Sequence, residues 1–321
     1  METGKSLNIV FMGTPEFAVA TLDALVKSRH KVIAVVTVPD KPASRGLQLQ
    51  SSAVKEYAQT HNLKVLQPEK LKSEEFISEL KALKPDLQVV VAFRMLPEVV
   101  WKLPEYGTIN LHGSLLPQYR GAAPINWAII NGEKETGITT FFISHEIDTG
   151  DILMQEKVPV TDDDDAGTIH DKLMVNGAKL IVETVNAVAD KKIKPFKQLQ
   201  NHELKSAPKI FRNTCKINWN LSSNDVFNFI KGLSPYPGAW TELINTDGKK
   251  TLLKIFKCTK QDIVQIEKGK VSANEKNQMF IGCGNGTLEI LELQAEGRKK
   301  MNAADFLRGT HSEDKNWIVS F

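Results

Sequence analysis

Cysteine is scarce in this sequence, with three residues among 321, and no two of them form a Cys-x-x-Cys pair. An odd and scattered set of cysteines supports neither a disulfide framework nor a zinc ribbon. We therefore expect no metal site and a reducing, cytoplasmic compartment.

Long hydrophobic runs and nucleotide-binding loops are also missing. The apolar run at 7–12 is interrupted by Asn8 and is far shorter than the roughly 20 residues that span a bilayer, and it does not read as a signal peptide. Gly13 is not followed by the second and third glycines of a dinucleotide fingerprint, and no Gly-x-x-x-x-Gly-Lys-Ser/Thr loop occurs. A Gly-x-Ser-x-Gly nucleophile elbow is absent too. These absences argue against a membrane span, NAD or ATP use, and a serine nucleophile.

The first 190 residues alternate apolar runs with amphipathic stretches. Apolar, β-branched runs at 8–12 and 32–38 predict strands, and the spacing of Val19, Leu22, Leu25 and Val26 predicts a helix between them. A further helix is predicted over 73–83 and further strands over 87–93 and 108–111. This alternation indicates an α/β domain with a mostly parallel, doubly wound sheet, whose ligands bind beyond the carboxyl ends of the strands. Four acids at 162–165 are expected to favour the positive end of a following helix rather than to bind a metal.

The alternation of apolar runs and amphipathic stretches ends near residue 190. A polar, lysine-rich stretch follows, and beyond it short alternating segments predict a small β-barrel, with one helix over 222–232 capped by Ser222 or Ser223. We therefore predict a catalytic domain over 1–190, a linker over 191–208 and a smaller C-terminal domain over 209–321.

Charge is divided unevenly between the two parts of the chain. Residues 1–190 carry 19 Lys and Arg against 25 Asp and Glu, a net of −6, whereas 191–321 carry 22 against 13, a net of +9. An excess of this size suggests an anionic partner such as nucleic acid, although a lysine-rich, solvated surface explains the same count without a partner.

The densest group of chemically useful side chains follows the strand predicted over 108–111. Asn110 and His112 are two residues apart, so both side chains point to one face, and Asp148 follows some 36 residues later. An amide donor, an imidazole and a carboxylate can stabilise an oxyanion and move a proton, which suits acyl transfer. Spacing alone also permits a histidine satisfied at a strand end and an aspartate capping a turn.

Eight motifs together resemble the methionyl-tRNA formyltransferase family, and the resemblance covers nearly the whole chain. The Asn-x-His plus Asp pattern alone resembles that of the wider group of enzymes that use 10-formyltetrahydrofolate. The joint matches in the N- and C-terminal parts narrow the resemblance to this one family. The motifs lie at 10–17, 39–46, 110–117, 120–125, 148–150, 207–211, 217–219 and 235–240.

The resemblance implies a Rossmann-like formyltransferase domain followed by an OB-like barrel that binds tRNA. It also implies that the chain transfers a formyl group from 10-formyltetrahydrofolate to the α-amino group of initiator methionyl-tRNA, as a monomer without a metal. Asn110, His112 and Asp148 match the catalytic residues of the family. The implied folate-binding residues are Ser114, Leu115, Leu116 and Pro117, with Phe93, Arg94, Met95 and Leu96 lining the same pocket. Arg45 matches an arginine that reaches the acceptor end of the tRNA, and the further candidates for tRNA contact are Lys41, Lys209, Arg212, Arg298, Lys299 and Lys300.

Two departures from the family pattern concern phosphate binding. Many relatives have arginine where this chain has Gln118, and a lysine pair where it has Leu47 and Gln48. We therefore expect the loop after the second predicted strand to bind phosphate more weakly in this chain.

Three other functions remain open at this point. A formyltransferase acting on an amino sugar nucleotide shares the folate segment, but such a substrate does not require a strongly basic second domain. A formyltetrahydrofolate hydrolase uses water as the acceptor, and its relatives lack the C-terminal motifs. A non-catalytic RNA-binding module would explain the charge but not the grouping of Asn110, His112 and Asp148.

Overall fold

A computed structural model describes residues 4–42, 49–199, 203–309 and 317–320. It divides into two compact units, the first formed by Met1–Gly121, Glu135–Pro159 and His170–Ser206, and the second by Ala122–Lys134, Val160–Ile169 and Ala207–Phe321. The strands in chain order are β1 (Asn8–Gly13), β2 (Lys31–Val36), β3 (Lys41–Pro42), β4 (Leu49–Gln50), β5 (Val65–Leu66), β6 (Leu87–Val91), β7 (Thr108–His112), β8 (Arg120–Gly121), β9 (Glu135–Phe142), β10 (Ile152–Pro159), β11 (Ser206–Ala207), β12 (Ala239–Ile244), β13 (Lys250–Gln261), β14 (Val271–Ala273), β15 (Met279–Gly282), β16 (Thr287–Ala295), β17 (Met301–Asn302) and β18 (Ile318–Val319). The helices are α1 (Glu16–Val26), α2 (Ala53–Thr60), α3 (Glu74–Ala82), α4 (Glu98–Trp101), α5 (Pro124–Ile130), α6 (Ala166–Ala189), α7 (Ser223–Leu233) and α8 (Ala303–Arg308).

The first unit contains a seven-stranded sheet with the order β10-β9-β7-β6-β1-β2-β5. The strands from β7 to β5 pair in parallel, and β9 pairs antiparallel with both β7 and β10. All five residues of β6 are buried, as expected of a parallel strand covered on both faces. The predicted mostly parallel, doubly wound sheet is therefore confirmed.

Local signals set several element ends in this unit. The Ser73 hydroxyl accepts a hydrogen bond from the Phe76 amide and so caps α3. The strand predicted to run to residue 93 ends at Val91, because Ala92 adopts a left-handed φ of 47° that cannot continue a strand. The chain thus turns at the carboxyl edge of the sheet.

The second unit contains an antiparallel sheet with the order β14-β15-β16-β13-β12-β18, and β17 pairs with β16. The ends of this sheet meet, because the Val271 amide donates to the Trp317 carbonyl and the Val319 amide donates to the Gly269 carbonyl, at 3.0 and 2.9 Å. The result is a nearly closed barrel, consistent with the OB-like expectation. Ser222, rather than Ser223, caps α7 by accepting from the Asp225 amide.

Two segments that lie within the predicted catalytic domain, Ala122–Lys134 and Val160–Ile169, belong to this second unit, and no local pattern in the sequence indicates this. Helix α5 packs against α7 so closely that a Cβ on Gly232 would lie 2.5 Å from the Ile130 side chain, and the Asn126 amide donates to the Gly232 carbonyl at 2.7 Å. The acidic run precedes α6 as expected, and Asp165 accepts from the Thr168 amide at 2.9 Å. Residues of the predicted linker contact the first unit, where Phe196 pairs with Ile152. The domain limits 1–190, 191–208 and 209–321 stay a prediction.

The three cysteines are free and buried, and burial raises the pKa of the Cys283 thiol to about 12. Among the residues that the structure describes, no group of three or more His, Cys, Asp or Glu could hold a metal ion. The described helices include none that is long and apolar enough to cross a membrane.

Candidate functional site

Strand β7 carries Asn110 and His112 to the carboxyl edge of the first sheet. Asn110 lies opposite Phe141 and His112 opposite Thr139 on β9, and the period of two directs both side chains to the same face. Within the described ranges, the Asn110 side chain makes no hydrogen bond, and the residue is partly exposed. Its amide N–H groups are therefore available to a ligand.

Each nitrogen atom of the His112 ring has an oxygen atom nearby. Nε2 lies 2.9 Å from the Tyr119 carbonyl oxygen, and Nδ1 lies 3.7 Å from Asp148 Oδ2. Because a carbonyl only accepts, Nε2 must carry a proton in this contact. The Nδ1–Asp148 distance exceeds that of a direct hydrogen bond, so Nδ1 is the nitrogen left to exchange a proton with a bound molecule.

Asp148 is fixed by its backbone as well as by its carboxylate. The residue has a left-handed φ of 55°, and its Oδ2 accepts from the Gly121 amide at 2.9 Å. The side chain of Gln198 donates to the carbonyl oxygens of Asp148 and Gly150, at 2.8 and 2.9 Å. A Cβ at Gly150 would lie 1.6 Å from the Phe142 carbonyl oxygen, so only glycine fits this turn.

The predicted folate segment is tied down by β9 and β10. The buried Thr139 hydroxyl donates to the Ser114 carbonyl at 2.7 Å and accepts from the Leu116 amide at 3.1 Å. Gln155 donates to the Leu116 carbonyl at 2.9 Å, and the Ser114 hydroxyl donates to the Gln118 carbonyl at 2.7 Å. These four hydrogen bonds therefore fix the backbone of the segment between Ser114 and Gln118.

The second predicted folate stretch, 93–96, follows β6 at the neighbouring strand end. The Met95 side chain is 70% exposed, whereas Leu96 is buried in the core around β1, β2 and β6. Arg94 donates to the Pro68 and Glu69 carbonyls, at 2.8 and 3.0 Å, and burial lowers the pKa of its guanidinium. Leu116 packs instead with Phe141 and Ile152, so the two stretches belong to different parts of the core.

The residues predicted to contact tRNA are dispersed. Arg45 and the Leu47–Gln48 departure lie outside the described residues, and Lys41 is exposed on β3. In the second unit, Lys209 and Arg212 line one groove. Arg298, Lys299 and Lys300 are exposed at the turn after β16, where Lys300 pairs with Glu292 at 2.5 Å.

Reasoning from the sequence missed the residues that support the proposed catalytic groups. Gln198 lies 50 residues from Asp148, inside the stretch predicted to be a linker, and its Oε1 also accepts two hydrogen bonds from Arg120, at 2.6 and 3.1 Å. The Tyr119 contact to His112 is made by a backbone carbonyl, which no residue type signals. Thr139 reads as an ordinary strand residue.

Two family models match this chain. The model described as formyl transferase matches residues 7–185, and the model described as formyl transferase, C-terminal domain, matches residues 209–311. The chain is 53% identical over 311 residues to a protein of Parabacteroides distasonis named methionyl-tRNA formyltransferase, covering 95% of this chain and 96% of that protein.

Solved structures show a similar fold at low sequence identity. HypX from Aquifex aeolicus in complex with tetrahydrofolic acid matches with a TM-score of 0.64 and 20% identity, over 94% of this chain and 47% of that chain. An N-formyltransferase from Helicobacter canadensis in complex with folinic acid and dTDP-3-aminofucose matches with a TM-score of 0.61 and 22% identity, over 92% of this chain and 100% of that one.

Proposed function

The chain belongs to the methionyl-tRNA formyltransferases of the formyl transferase family, and we propose that it transfers the formyl group of 10-formyltetrahydrofolate to the α-amino group of initiator methionyl-tRNA. The observation that carries this proposal is the match to proteins of that name across both units, at 53% identity for one of them. The net charge of +9 on residues 191–321 supports an RNA substrate, because Lys and Arg contacts to phosphates supply affinity without reading sequence.

Asn110, His112 and Asp148 supply the groups that this transfer requires. The substrate amine attacks the formyl carbon, its C=O electron pair moves to oxygen, and the free Asn110 amide donates a hydrogen bond to the resulting oxyanion. The C–N10 bond then breaks, and N10 accepts a proton while the amine loses one. His112 assists through Nδ1, since Nε2 is committed to Tyr119. Asp148, whose Oδ2 lies 3.7 Å from Nδ1, would orient the ring for this proton transfer.

The formyl donor fits the residues that surround this group. Ser114, Leu115, Leu116 and Pro117 would hold it against a backbone fixed by Thr139, and the exposed Met95 offers apolar surface beside that edge of the sheet. Its chemistry is that of an acyl donor with an amine leaving group. Phe93, Arg94 and Leu96 remain proposed as the other wall of the pocket.

The RNA substrate would be held at two places. Arg45 and Lys41 are proposed for the acceptor end, and Lys209, Arg212, Arg298, Lys299 and Lys300 for phosphates. As part of this proposal the protein works in the cytoplasm, where charged tRNA is made and used, and it works as a monomer.

The test is a formyl-transfer assay with 10-formyltetrahydrofolate and three acceptors. Charged initiator tRNA should be formylated, whereas uncharged tRNA should not, and elongator methionyl-tRNA should react more slowly. Transfer to an amino sugar nucleotide at a comparable rate would favour that alternative. Release of formate without any acceptor would instead indicate a hydrolase.

A further inference from the structure

Two exposed aromatic side chains of the second unit line the same groove. Phe211 is 56% exposed and Tyr236 is 82% exposed, although neither belongs to the barrel core. Both border a groove of about 760 Å³ with Trp240, whose indole N–H donates to the Arg212 carbonyl at 2.7 Å. Large apolar side chains grouped on one exposed surface commonly mark a binding site.

The cations of the groove are placed beside these rings. Lys209 Nζ lies 5.5 Å from the centre of the Phe211 ring, and Lys254 Nζ donates to the Pro237 carbonyl at 2.8 Å. Lys209 and Arg212 are exposed, and neither forms a salt bridge within the described ranges. Among the described residues that line this groove, Glu296 alone is acidic. The surface therefore combines aromatic faces with an excess of positive charge.

We propose that this groove binds unpaired nucleotides of the RNA substrate, with bases stacked on Tyr236 and Phe211 and phosphates near Lys209 and Arg212. Stacking on aromatic rings within a basic groove is how proteins bind single-stranded nucleic acid without reading sequence. A tRNA offers unpaired nucleotides in its loops and at its 3′ end. The positive charge favours RNA over a proline-rich peptide, which also uses aromatic grooves but brings no phosphates.

This inference rests on the proposed function, and its test uses the full chain. Binding of charged initiator tRNA and of a labelled single-stranded RNA of about six nucleotides is measured at several salt concentrations. Tyr236→Leu and Phe211→Leu keep apolar area but remove the aromatic face, and each should weaken binding by about 5- to 100-fold without changing the salt dependence. Tyr236→Phe should bind as tightly as the wild type.

Arg212→Gln should act differently, because it removes a charge. The slope of log K against log salt should become less steep by about 0.7 to 0.9. Ile263→Ala is the control, because Ile263 is 95% exposed in the same unit and lies outside the lining of the groove. This variant should leave RNA binding unchanged.

Several results would overturn the inference. Tyr236→Leu and Phe211→Leu proteins that keep the wild-type melting temperature and bind both RNAs as the wild type does would remove the stacking role. If the wild type binds a proline-rich peptide, and Tyr236→Leu and Phe211→Leu lose that binding but keep RNA binding, the groove would be assigned to peptides. In either case wild-type formyl transfer to methionyl-tRNA would still stand, so failure of the groove and failure of the proposed function are distinguishable.

Discussion

Gln198 should control the rate of formyl transfer although it is not placed in contact with the substrates. Its side chain makes four hydrogen bonds: two donated to the Asp148 and Gly150 carbonyls and two accepted from Arg120. These bonds hold Asp148 in its left-handed conformation, with Oδ2 directed at His112. We therefore treat Gln198 as a positioning residue.

The Gln198→Leu substitution keeps most of the side-chain volume and removes all four bonds. Two partly buried carbonyls lose their donor, which should lower the free energy of unfolding by about 1–3 kcal/mol. Once the loop relaxes, a displacement of about 1 Å at Asp148 should reduce kcat by about 10- to 100-fold. KM for either substrate should change by less than about threefold, because Gln198 makes no uniform binding contact.

Steady-state kinetics and denaturant unfolding of two variants separate positioning from general destabilisation. The matched control is Asn186→Leu, which removes another side-chain amide of the first unit, one that contacts His30 Nε2 at 3.1 Å. This control should lose stability and keep kcat. A Gln198→Leu enzyme with the stability loss but a wild-type kcat would refute the positioning role.

Three further outcomes are expected. Asn110→Ala should lower kcat by at least about 10²-fold while folate affinity, measured by equilibrium binding, changes little, because an oxyanion donor acts mainly in the transition state; a near-normal kcat would contradict the role. Burial raises the pKa of the Tyr57 phenol to about 12, so the phenol ionises at a lower pH in the unfolded chain than in the folded protein. The stability that the neutral phenol contributes below pH 10 is therefore lost as pH rises towards 12. In denaturant unfolding, Tyr57→Phe should lose less free energy of unfolding over that range than the wild type. Replacing Arg298, Lys299 and Lys300 together by glutamine should raise KM for tRNA, flatten its salt dependence and leave kcat unchanged, whereas a salt-independent tRNA KM in the wild type would contradict phosphate binding.

Local patterns in the sequence were sufficient for much of the fold. Apolar runs predicted β1 and β6 because a strand buried on both faces must be apolar. Ser222 was one of two candidates for the start of α7, because a serine hydroxyl can accept a hydrogen bond from an amide of the first helical turn. These signals depend on only a few neighbouring residues, so they can be identified without knowing how the rest of the chain folds.

A local pattern also predicted the relative placement of two of the three proposed catalytic residues. Asn110 and His112 share a face because the strand period is two, and this follows from the sequence by itself. Their proposed partner Asp148 could be named from the family resemblance, but spacing along the chain left its distance from His112 undetermined. That distance of 3.7 Å depends on how separate parts of the chain pack.

Only the tertiary structure decided which distant segments meet. Gln198 reaches Asp148 across 50 residues, residues 122–134 join the second unit, and the barrel closes through bonds between Val271 and Trp317. The physical reason is that a backbone carbonyl or a side-chain amide can pair with any donor or acceptor that packing brings near. Residue type and local period fix which groups need partners, whereas the compact fold selects the partners.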